Sequence, residues 1–217
     1  MRDRAVIFDL DGTLLNTLED LADSMNHVLA GAGFPKHPLE AFKKFVGDGM
    51  ENLVRRALPG GVEKDAVSVG KYLTLMREEY GRRHRNKTRP YPGVPALLDG
   101  LVARSIPMAI LSNKPHEATR RIAEDLLAGW RFEQVLGERP GIPRKPDPAG
   151  ALEIAAHMGI PPERFLYLGD TDTDMITAVR AGMFPVGVLW GFREAPELLT
   201  AGAKVLIESP EDLFPLL

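Results

Sequence analysis

Cysteine is absent from all 217 residues, which excludes disulfide bonds and thiolate metal ligands within this sequence. Long apolar runs are missing too: no stretch of about 18 apolar residues occurs, so we expect no membrane contact through a spanning helix. Basic charge is not in excess, because 27 lysines and arginines face 30 aspartates and glutamates, for a formal net charge of −3. No nucleic-acid partner is therefore predicted from a general basic field. The acidic, weakly apolar start predicts no signal peptide, and we expect a cytoplasmic protein.

The informative segment is the beginning, where residues 4–15 read R-A-V-I-F-D-L-D-G-T-L-L. Residues 5–8 are continuously apolar, which predicts a strand buried on both faces. Gly12 then permits a sharp turn, and the turn leaves the carboxylates of Asp9 and Asp11 close together. Two such acids can divide a reaction, one as nucleophile and one as acid. A turn with acidic capping residues is the plainer alternative, but the whole D-x-D-G-T-L pattern favours chemistry.

Three later segments supply what such a site needs. Ser112 and Asn113 follow the apolar run 107–111, and the acidic loop 169–174 follows the apolar run 165–168. Between them, Lys145 lies in a loop stiffened by two prolines. Taken singly, these segments can be a helix cap, a surface charge and half of a calcium loop. Their common placement near strand ends favours a ligand site instead, because ligands of doubly wound sheets bind there.

The element order predicts the fold class. From residue 93 onward, helical and strand patterns alternate, as a parallel sheet requires. Between residues 16 and 89 the apolar spacing is helical throughout, with no convincing strand. We therefore expect an α/β fold, a doubly wound parallel sheet with a Rossmann-like core, built from residues 1–15 and 90–217. Residues 16–89 are expected to form an inserted, all-helical cap domain.

The ordered set D-L-D-G-T, L-S-N, R-K-P-D-P and G-D-T-D-T-D resembles the four motifs of the haloacid dehalogenase-like phosphohydrolases, over essentially the whole chain. The resemblance implies a phosphoric monoester hydrolase in which Asp9 is the nucleophile and Asp11 the general acid and base. It also implies that Ser112, with Asn113 beside it, and Lys145 bind the substrate phosphate.

The same resemblance implies a magnesium ion. Asp9 and Asp170 match direct metal ligands, Asp174 matches an acidic partner that supports the metal or its waters, and Asp11 contributes its main-chain carbonyl. Asp172 matches no ligand of the family. Mg²⁺ is favoured over Ca²⁺ because few carboxylates are available and Mg²⁺ commonly keeps several waters.

The predicted insert points to the substrate. Gly47 and Gly49 precede a helix whose free N–H groups can bind an anion, although a flexible loop before a helix start explains the pattern equally well. The G-x-G-x-x-x-L-V-R-R-A-L segment from Gly47 onward resembles the cap of bacterial phosphoglycolate phosphatases. That resemblance implies a small phosphorylated metabolite, a phospho-acid such as 2-phosphoglycolate, as the partner, bound by a monomer or a homodimer.

Other functions within the resemblance stay open to different degrees. A dehalogenase needs neither a metal nor a second aspartate, so Asp11 counts against it. A phosphonate hydrolase replaces that aspartate and needs an imine-forming lysine. A sugar-phosphate mutase shares the carboxylate pair, and a pyrophosphatase also remains an alternative. A non-catalytic phospho-ligand binding module is disfavoured, because it has little reason to keep a nucleophile, an acid and a metal ligand together.

Overall fold

The computed structural model describes residues 4–60, 62 and 65–217. The strands, in chain order, are β1 (Ala5–Phe8), β2 (Leu15–Asn16), β3 (Arg89–Pro90), β4 (Met108–Pro115), β5 (Gln134–Glu138), β6 (Phe165–Gly169), β7 (Phe184–Val188) and β8 (Val205–Ile207). The helices are α1 (Leu18–Gly31), α2 (Leu39–Phe45), α3 (Met50–Ala57), α4 (Ala66–Arg83), α5 (Val94–Ala103), α6 (His116–Leu126), α7 (Ala149–Met158), α8 (Asp172–Ala181) and α9 (Ala195–Thr200). Among the described residues, no helix is both long and apolar enough to cross a membrane.

Six strands form one parallel sheet in the order β5-β4-β1-β6-β7-β8, which confirms the predicted fold class. The next sheet strand after β1 in the chain is β4, which pairs on one side of β1, whereas β6 pairs on the other side. The strand order therefore reverses at β1. A crevice for a ligand is expected at such a switch point, beyond the carboxyl ends of the strands.

Strand β1 is buried on both faces, as its continuous apolar sequence predicts. Val6 and Phe8 face one apolar cluster, whereas Ala5 and Ile7 face a second cluster on the opposite side of the sheet. Burying a side chain of the size of valine, isoleucine or phenylalanine stabilises the fold by about 1.5–3 kcal/mol. The two clusters hold the end of β1, and thus Asp9, in a fixed place.

Helices α1 to α4 lie between β2 and β3, and we call residues 17–88 the helical insert. The insert has its own apolar cluster, to which Met25, Phe42 and Met76 contribute fully buried side chains. The antiparallel pair β2–β3 joins the two points at which the chain leaves and re-enters the core. Buried Asp20 strengthens this junction, since its carboxylate accepts hydrogen bonds from the main-chain N–H groups of Lys87 and Thr88.

Several boundaries differ from the sequence predictions. Strand β4 does not end at residue 111 but continues through Ser112 and Asn113 to Pro115, and α6 follows directly from His116. The added residues pair with β5 alone, because the pairing of β4 with β1 ends at Ile110 whereas Pro115 pairs with Glu138. Helix α9 and a closing 3₁₀ segment, Pro210–Leu216, were missed because both are short and rich in proline.

Candidate active site

The predicted site residues of the core converge at the carboxyl edge of the sheet. Asp9 follows β1, Ser112 and Asn113 lie in β4, and Asp170 follows β6. Lys145 reaches the same place from the loop after β5. Although it lies 136 residues from Asp9 in the chain, its Nζ is 2.7 Å from Asp9 Oδ1.

Three carboxylates form the centre of the site. Asp9, Asp170 and Asp174 are buried, and each offers a ligand oxygen within 4.8 Å of the other two. The Asp11 side chain is not part of this group, and neither is that of Asp172. Hard carboxylate oxygens in such a group are suited to a divalent cation such as Mg²⁺.

The surroundings of Asp170 and Asp174 fix their orientation. Asp170 accepts hydrogen bonds from Thr13 Oγ1 at 3.1 Å and from the Phe192 main-chain N–H at 2.8 Å. Asp174 closes a capping box at the start of α8, where its Oδ2 accepts from the Thr171 N–H at 3.1 Å and from Thr171 Oγ1 at 2.7 Å. Asp174 therefore keeps Oδ1 directed towards the cluster, whereas both oxygens of Asp170 accept a hydrogen bond that fixes the carboxylate within it.

Two glycines make room for Asp170. Gly12 has φ +96°, a conformation that residues with a Cβ rarely adopt, and a Cβ there would collide with the Asp170 carboxylate. A Cβ at Gly191 would meet the same side chain from the other side. Gly12 is thus needed for two reasons. It permits the turn after Asp11, and it leaves space for the carboxylate of Asp170 at the end of β6.

Lys145 supplies positive charge inside the cluster. Besides Asp9, its Nζ contacts Asp174 Oδ1 at 2.6 Å and the Leu111 carbonyl at 3.0 Å. Burial disfavours the charged form of Lys145, but Asp174 and Asp9 hold its pKa well above the ordinary lysine value. The lysine is therefore protonated at neutral pH and compensates one of the negative charges.

One lysine does not balance three carboxylates. Burial raises the pKa of Asp9 to about 7, against the opposing effect of Lys145, and Asp174 raises it further. Burial likewise raises the pKa of Asp170 well above its usual value, with Asp9 and Asp174 adding to the effect. A divalent cation would stabilise the ionised carboxylates, so the residues present fit a metal ion in both charge and ligand type.

Asp11 has a partner that the sequence reasoning did not assign. Lys114, two residues after Ser112, places its Nζ 2.5 Å and 2.7 Å from the two carboxylate oxygens of Asp11. The same Nζ lies 3.0 Å from the hydroxyl of Tyr80 in α4. Lys114 and Tyr80 are both buried. Lys114 belongs to the S-N-K-P segment at residues 112–115, but nothing in the spacing of that segment predicts a contact with Asp11 or Tyr80.

Ser112 and Asn113 have different surroundings. Ser112 is buried at the cavity wall, and its hydroxyl accepts from the Lys114 N–H at 3.2 Å. The side-chain amide of Asn113 donates to the Gly47 carbonyl at 3.2 Å and to the Lys145 carbonyl at 3.0 Å. Its two N–H groups thus connect the insert to the Lys145 loop, and its role in binding phosphate remains a prediction.

The helical insert closes over this edge of the sheet. Gly47 and Gly49 line a cavity of about 40 Å³ that they share with Asp9, Asp11 and Ser112. Next to them, Asp48 Oδ1 accepts from Thr173 Oγ1 at 3.0 Å. On the far side of the loop, Arg193 donates to the Val46 carbonyl at 2.9 Å and also contacts the Lys43 carbonyl.

A parallel α/β sheet with a carboxylate cluster, a buried lysine and a strand-end serine at its switch point defines an enzyme class that handles anionic substrates with a metal ion. The family follows from comparison with known proteins. The chain belongs to the haloacid dehalogenase-like hydrolases, because the model of that family matches residues 6–188.

Individual relatives resemble the chain over nearly its whole length. Phosphoglycolate phosphatase 1 of Pseudomonas aeruginosa is 32% identical, over 98% of this chain and 79% of the relative. A phosphoglycolate phosphatase of Pseudomonas putida is 33% identical over the same shares of both chains, 98% and 79%. The crystal structure of a candidate phosphoglycolate phosphatase from Lactobacillus delbrueckii subsp. bulgaricus has a TM-score of 0.89 and 32% identity, over 98% of this chain and 97% of that chain.

Proposed function

We propose that this protein is a Mg²⁺-dependent phosphomonoester hydrolase that acts on a small phospho-acid through an aspartyl-phosphate on Asp9. The observation that carries the proposal is the single buried constellation at the end of β1. In it, Asp9 lies beside Lys145, 2.7 Å away, and within one carboxylate cluster with Asp170 and Asp174, the candidate metal ligands. Asp11, the proposed acid, lines the same cavity as Asp9.

Asp9, Asp170 and the Asp11 main-chain carbonyl would hold the Mg²⁺, and Asp174 would support it. When bound, the ion draws the phosphate against Asp9 and offsets the charge that builds up during phosphoryl transfer. Lys145, which lies against Asp9, would bind a non-bridging phosphate oxygen. Ser112, with Asn113 behind it, completes the phosphate site.

In the first step, an ionised oxygen of Asp9 attacks phosphorus in line with the bond to the alkoxide. The O–P bond to Asp9 forms while the bond to the leaving oxygen breaks, and Asp11, which has exchanged its contact with Lys114 for a proton, gives that proton to the leaving oxygen. The products are an aspartyl-phosphate on Asp9 and the free alcohol.

In the second step, water attacks the same phosphorus. Asp11, now ionised, takes the proton from the water, and the bond between Asp9 and phosphorus breaks. Inorganic phosphate leaves, and both aspartates return to their starting protonation states. Since Asp11 carries the proton in both steps, its position beside Asp9 is essential to the proposal.

The helical insert is proposed to act as a cap, with residues 16–89 as a separate domain on the core of residues 1–15 and 90–217. A cap that closes on the substrate excludes water from the aspartyl-phosphate. Gly47 and Gly49 support this role because they line the cavity directly above Asp9. They are proposed to bind the part of the substrate remote from phosphorus.

The substrate proposal is 2-phosphoglycolate. Its support is the small cavity of about 40 Å³ between core and insert and the similarity to relatives named phosphoglycolate phosphatases. A narrow cavity of this kind favours a short substrate over a hexose phosphate or a nucleotide.

A steady-state screen tests the proposal. With Mg²⁺ present, phosphate release is measured for 2-phosphoglycolate, alkyl and aryl phosphates, hexose phosphates, nucleotides and pyrophosphate, with Asp9→Asn as the control for contaminating phosphatases. We expect the highest kcat/KM for 2-phosphoglycolate. Preference for pyrophosphate, or isomerisation of a sugar phosphate without phosphate release, would contradict the proposal.

A further inference from the structure

Lys114 is the feature of the site that the proposed mechanism does not use. Its side chain is 3% exposed, and its Nζ directs all three donors to named acceptors, the two carboxylate oxygens of Asp11 and the hydroxyl of Tyr80. The ammonium group also lies 4.9 Å from the centre of the Tyr80 ring. Burial disfavours the charged form, yet Asp11 and Tyr80 raise the pKa of Lys114 above the ordinary lysine value.

The charge balance of the cavity gives Lys114 a distinct position. Among the described residues that line the cavity, Lys114 has the one cationic side chain, whereas Asp9 and Asp11 are acidic. The remaining lining side chains are apolar or neutral, and include Met50 and Leu53 of the insert. Lys145 belongs to the phosphate end, because it lies within the carboxylate cluster, against Asp9 and Asp174, and does not line this cavity.

We propose that Lys114, oriented by Tyr80, recognises the carboxylate of the substrate and so determines selectivity for phospho-acids. The inference rests on the proposed function and deepens it. A second negative charge, brought into a small cavity beside two aspartates, is repelled unless a cation meets it. Lys114 is the one cation among the described residues that line the cavity, and its ammonium group exchanges its contact with Asp11 for one with the incoming carboxylate.

Tyr80 links this recognition to the insert. It lies in α4, whereas Lys114 lies in β4 of the core, so the contact between them exists only when insert and core are together. The Tyr80 oxygen accepts from Lys114, and its own O–H has no acceptor among the described residues. Tyr80 does not line the cavity of Asp9 and Asp11, so it acts by orienting the Lys114 ammonium group. Selectivity for phospho-acids therefore depends on the insert lying against the core, because only then does Tyr80 hold Lys114 in place.

The test compares two substrates that differ only in the tail. One is 2-phosphoglycolate, and the other is 2-hydroxyethyl phosphate, which has a neutral hydroxymethyl group in place of the carboxylate. The measured quantity is the ratio of their kcat/KM values within one variant. Any effect of Lys114 on Asp11 changes both substrates and cancels in the ratio, whereas recognition of the carboxylate changes the ratio itself.

In Lys114→Met we expect the ratio to fall by about 10- to 100-fold, which is the range for a lost charge-assisted hydrogen bond. Lys114→Gln, which keeps a donor but no charge, should lower the ratio similarly and guards against poor folding of the methionine variant. Tyr80→Phe should lower it by about 3- to 10-fold, mainly through KM for 2-phosphoglycolate. The control is Arg77→Met, an exposed cation of α4 behind Tyr80, for which we expect an unchanged ratio.

Each outcome is decisive. If both Lys114 variants lose activity equally on the two esters, the lysine serves Asp11 alone and the inference is wrong. A wild-type ratio near one would also overturn it, while leaving phosphatase activity intact. Failure of the wild-type protein to hydrolyse any phosphate ester with Mg²⁺ would instead contradict the proposed function.

Discussion

The edge of the sheet and the helical insert contribute to one cavity but are held by different kinds of contact. At the sheet edge, Asp174 is fully buried, and its ion pair with Lys145 is 2.6 Å long. On the insert, Asp48 keeps 30% of its side chain exposed while it contacts Thr173 of the core. Buried, mutually bonded charges define one geometry, whereas part-exposed polar contacts can open at low cost.

This difference in contacts assigns the chemical step to the sheet edge and the choice of substrate to the insert. Phosphoryl transfer needs a nucleophile, a metal site and an acid within fractions of an ångström, and the sheet supplies them on rigid strands. Substrate entry needs movement, and the insert is joined to the core by the short pair β2–β3, by side-chain contacts such as Asp48–Thr173 and Tyr80–Lys114, and by Phe192, which packs into the apolar cluster of the insert. Changes at the sheet edge should therefore damage turnover, whereas changes on the insert should damage substrate binding.

The largest expected effect is that of Asp9→Asn. Loss of the nucleophile should lower kcat by at least about 10⁴-fold on every ester. Steady-state rates with 2-phosphoglycolate and an aryl phosphate measure the effect, and circular dichroism verifies the fold. A variant that keeps most of its activity would eliminate covalent catalysis at this residue.

Asp9→Asn also tests whether the pKa of Asp9 is raised in the folded protein. The pKa of Asp9 in the folded protein is raised to about 7, so the folded state binds a proton that the unfolded state has released. The metal-free protein should therefore lose stability as pH rises from about 4 to about 7. Asp9→Asn, being uncharged, should lose less stability over that range. Thermal unfolding at several pH values decides this, and equal pH dependence of the two proteins would contradict it.

Removal of the metal comes next. EDTA should abolish activity, and Mg²⁺ should restore it and raise the unfolding temperature. Asp170→Asn should lower kcat/KM by about 10³-fold at low Mg²⁺, because a ligand at the metal is lost. Asp172→Asn is the matched control, two residues away and outside the carboxylate cluster. Full activity in metal-free buffer would favour a metal-independent mechanism.

Asp11→Asn should be less severe. Loss of a general acid and base costs about 10²- to 10⁴-fold, and most for poor leaving groups. Alkyl phosphates should therefore suffer more than an activated aryl phosphate, while phosphate and Mg²⁺ still bind. Equal slowing of both ester classes would remove Asp11 from the role of leaving-group acid.

The smallest effect is expected on the insert. Asp48→Ala removes the contact with Thr173 and the ion pair with Arg56 of α3, and should raise KM by about 3- to 10-fold with little change in kcat. The control Glu51→Ala removes an exposed i,i+4 pair with Arg55 on the same helix and should change neither. Gly49 is a poorer probe, because its φ of +87° means that any side chain strains the backbone. A large fall in kcat for Asp48→Ala would contradict the separation of roles.

The fold was predictable because its signals are local. The apolar run before Asp9 predicted β1, and the helical spacing predicted α1 to α4 nearly to their ends. The meeting of Asp9, Lys145 and Asp170 was predictable too, since parallel strands place their carboxyl ends at one edge. The motif resemblance added the roles, which the geometry alone does not assign.

The contacts of Lys114 were not predictable, because they depend on how α4 packs against the end of β4. Lys114 lies 103 residues from Asp11, and its reach is decided by side-chain packing that no spacing rule describes. Asp48 and Thr173, 125 residues apart, are a second case. The first contact lies within the core and the second joins the insert to the core, and in neither does the sequence carry a periodic signal.

The most direct test of the central claim is to trap the intermediate. The wild-type protein is mixed with 2-phosphoglycolate and Mg²⁺, quenched in acid within one turnover, digested and analysed by mass spectrometry. The account predicts one added phosphoryl group on the peptide that contains Asp9, absent from Asp9→Asn and accumulating further in Asp11→Asn with an aryl phosphate. Rapid phosphate release without any adduct on that peptide, or an adduct on another residue, would contradict it.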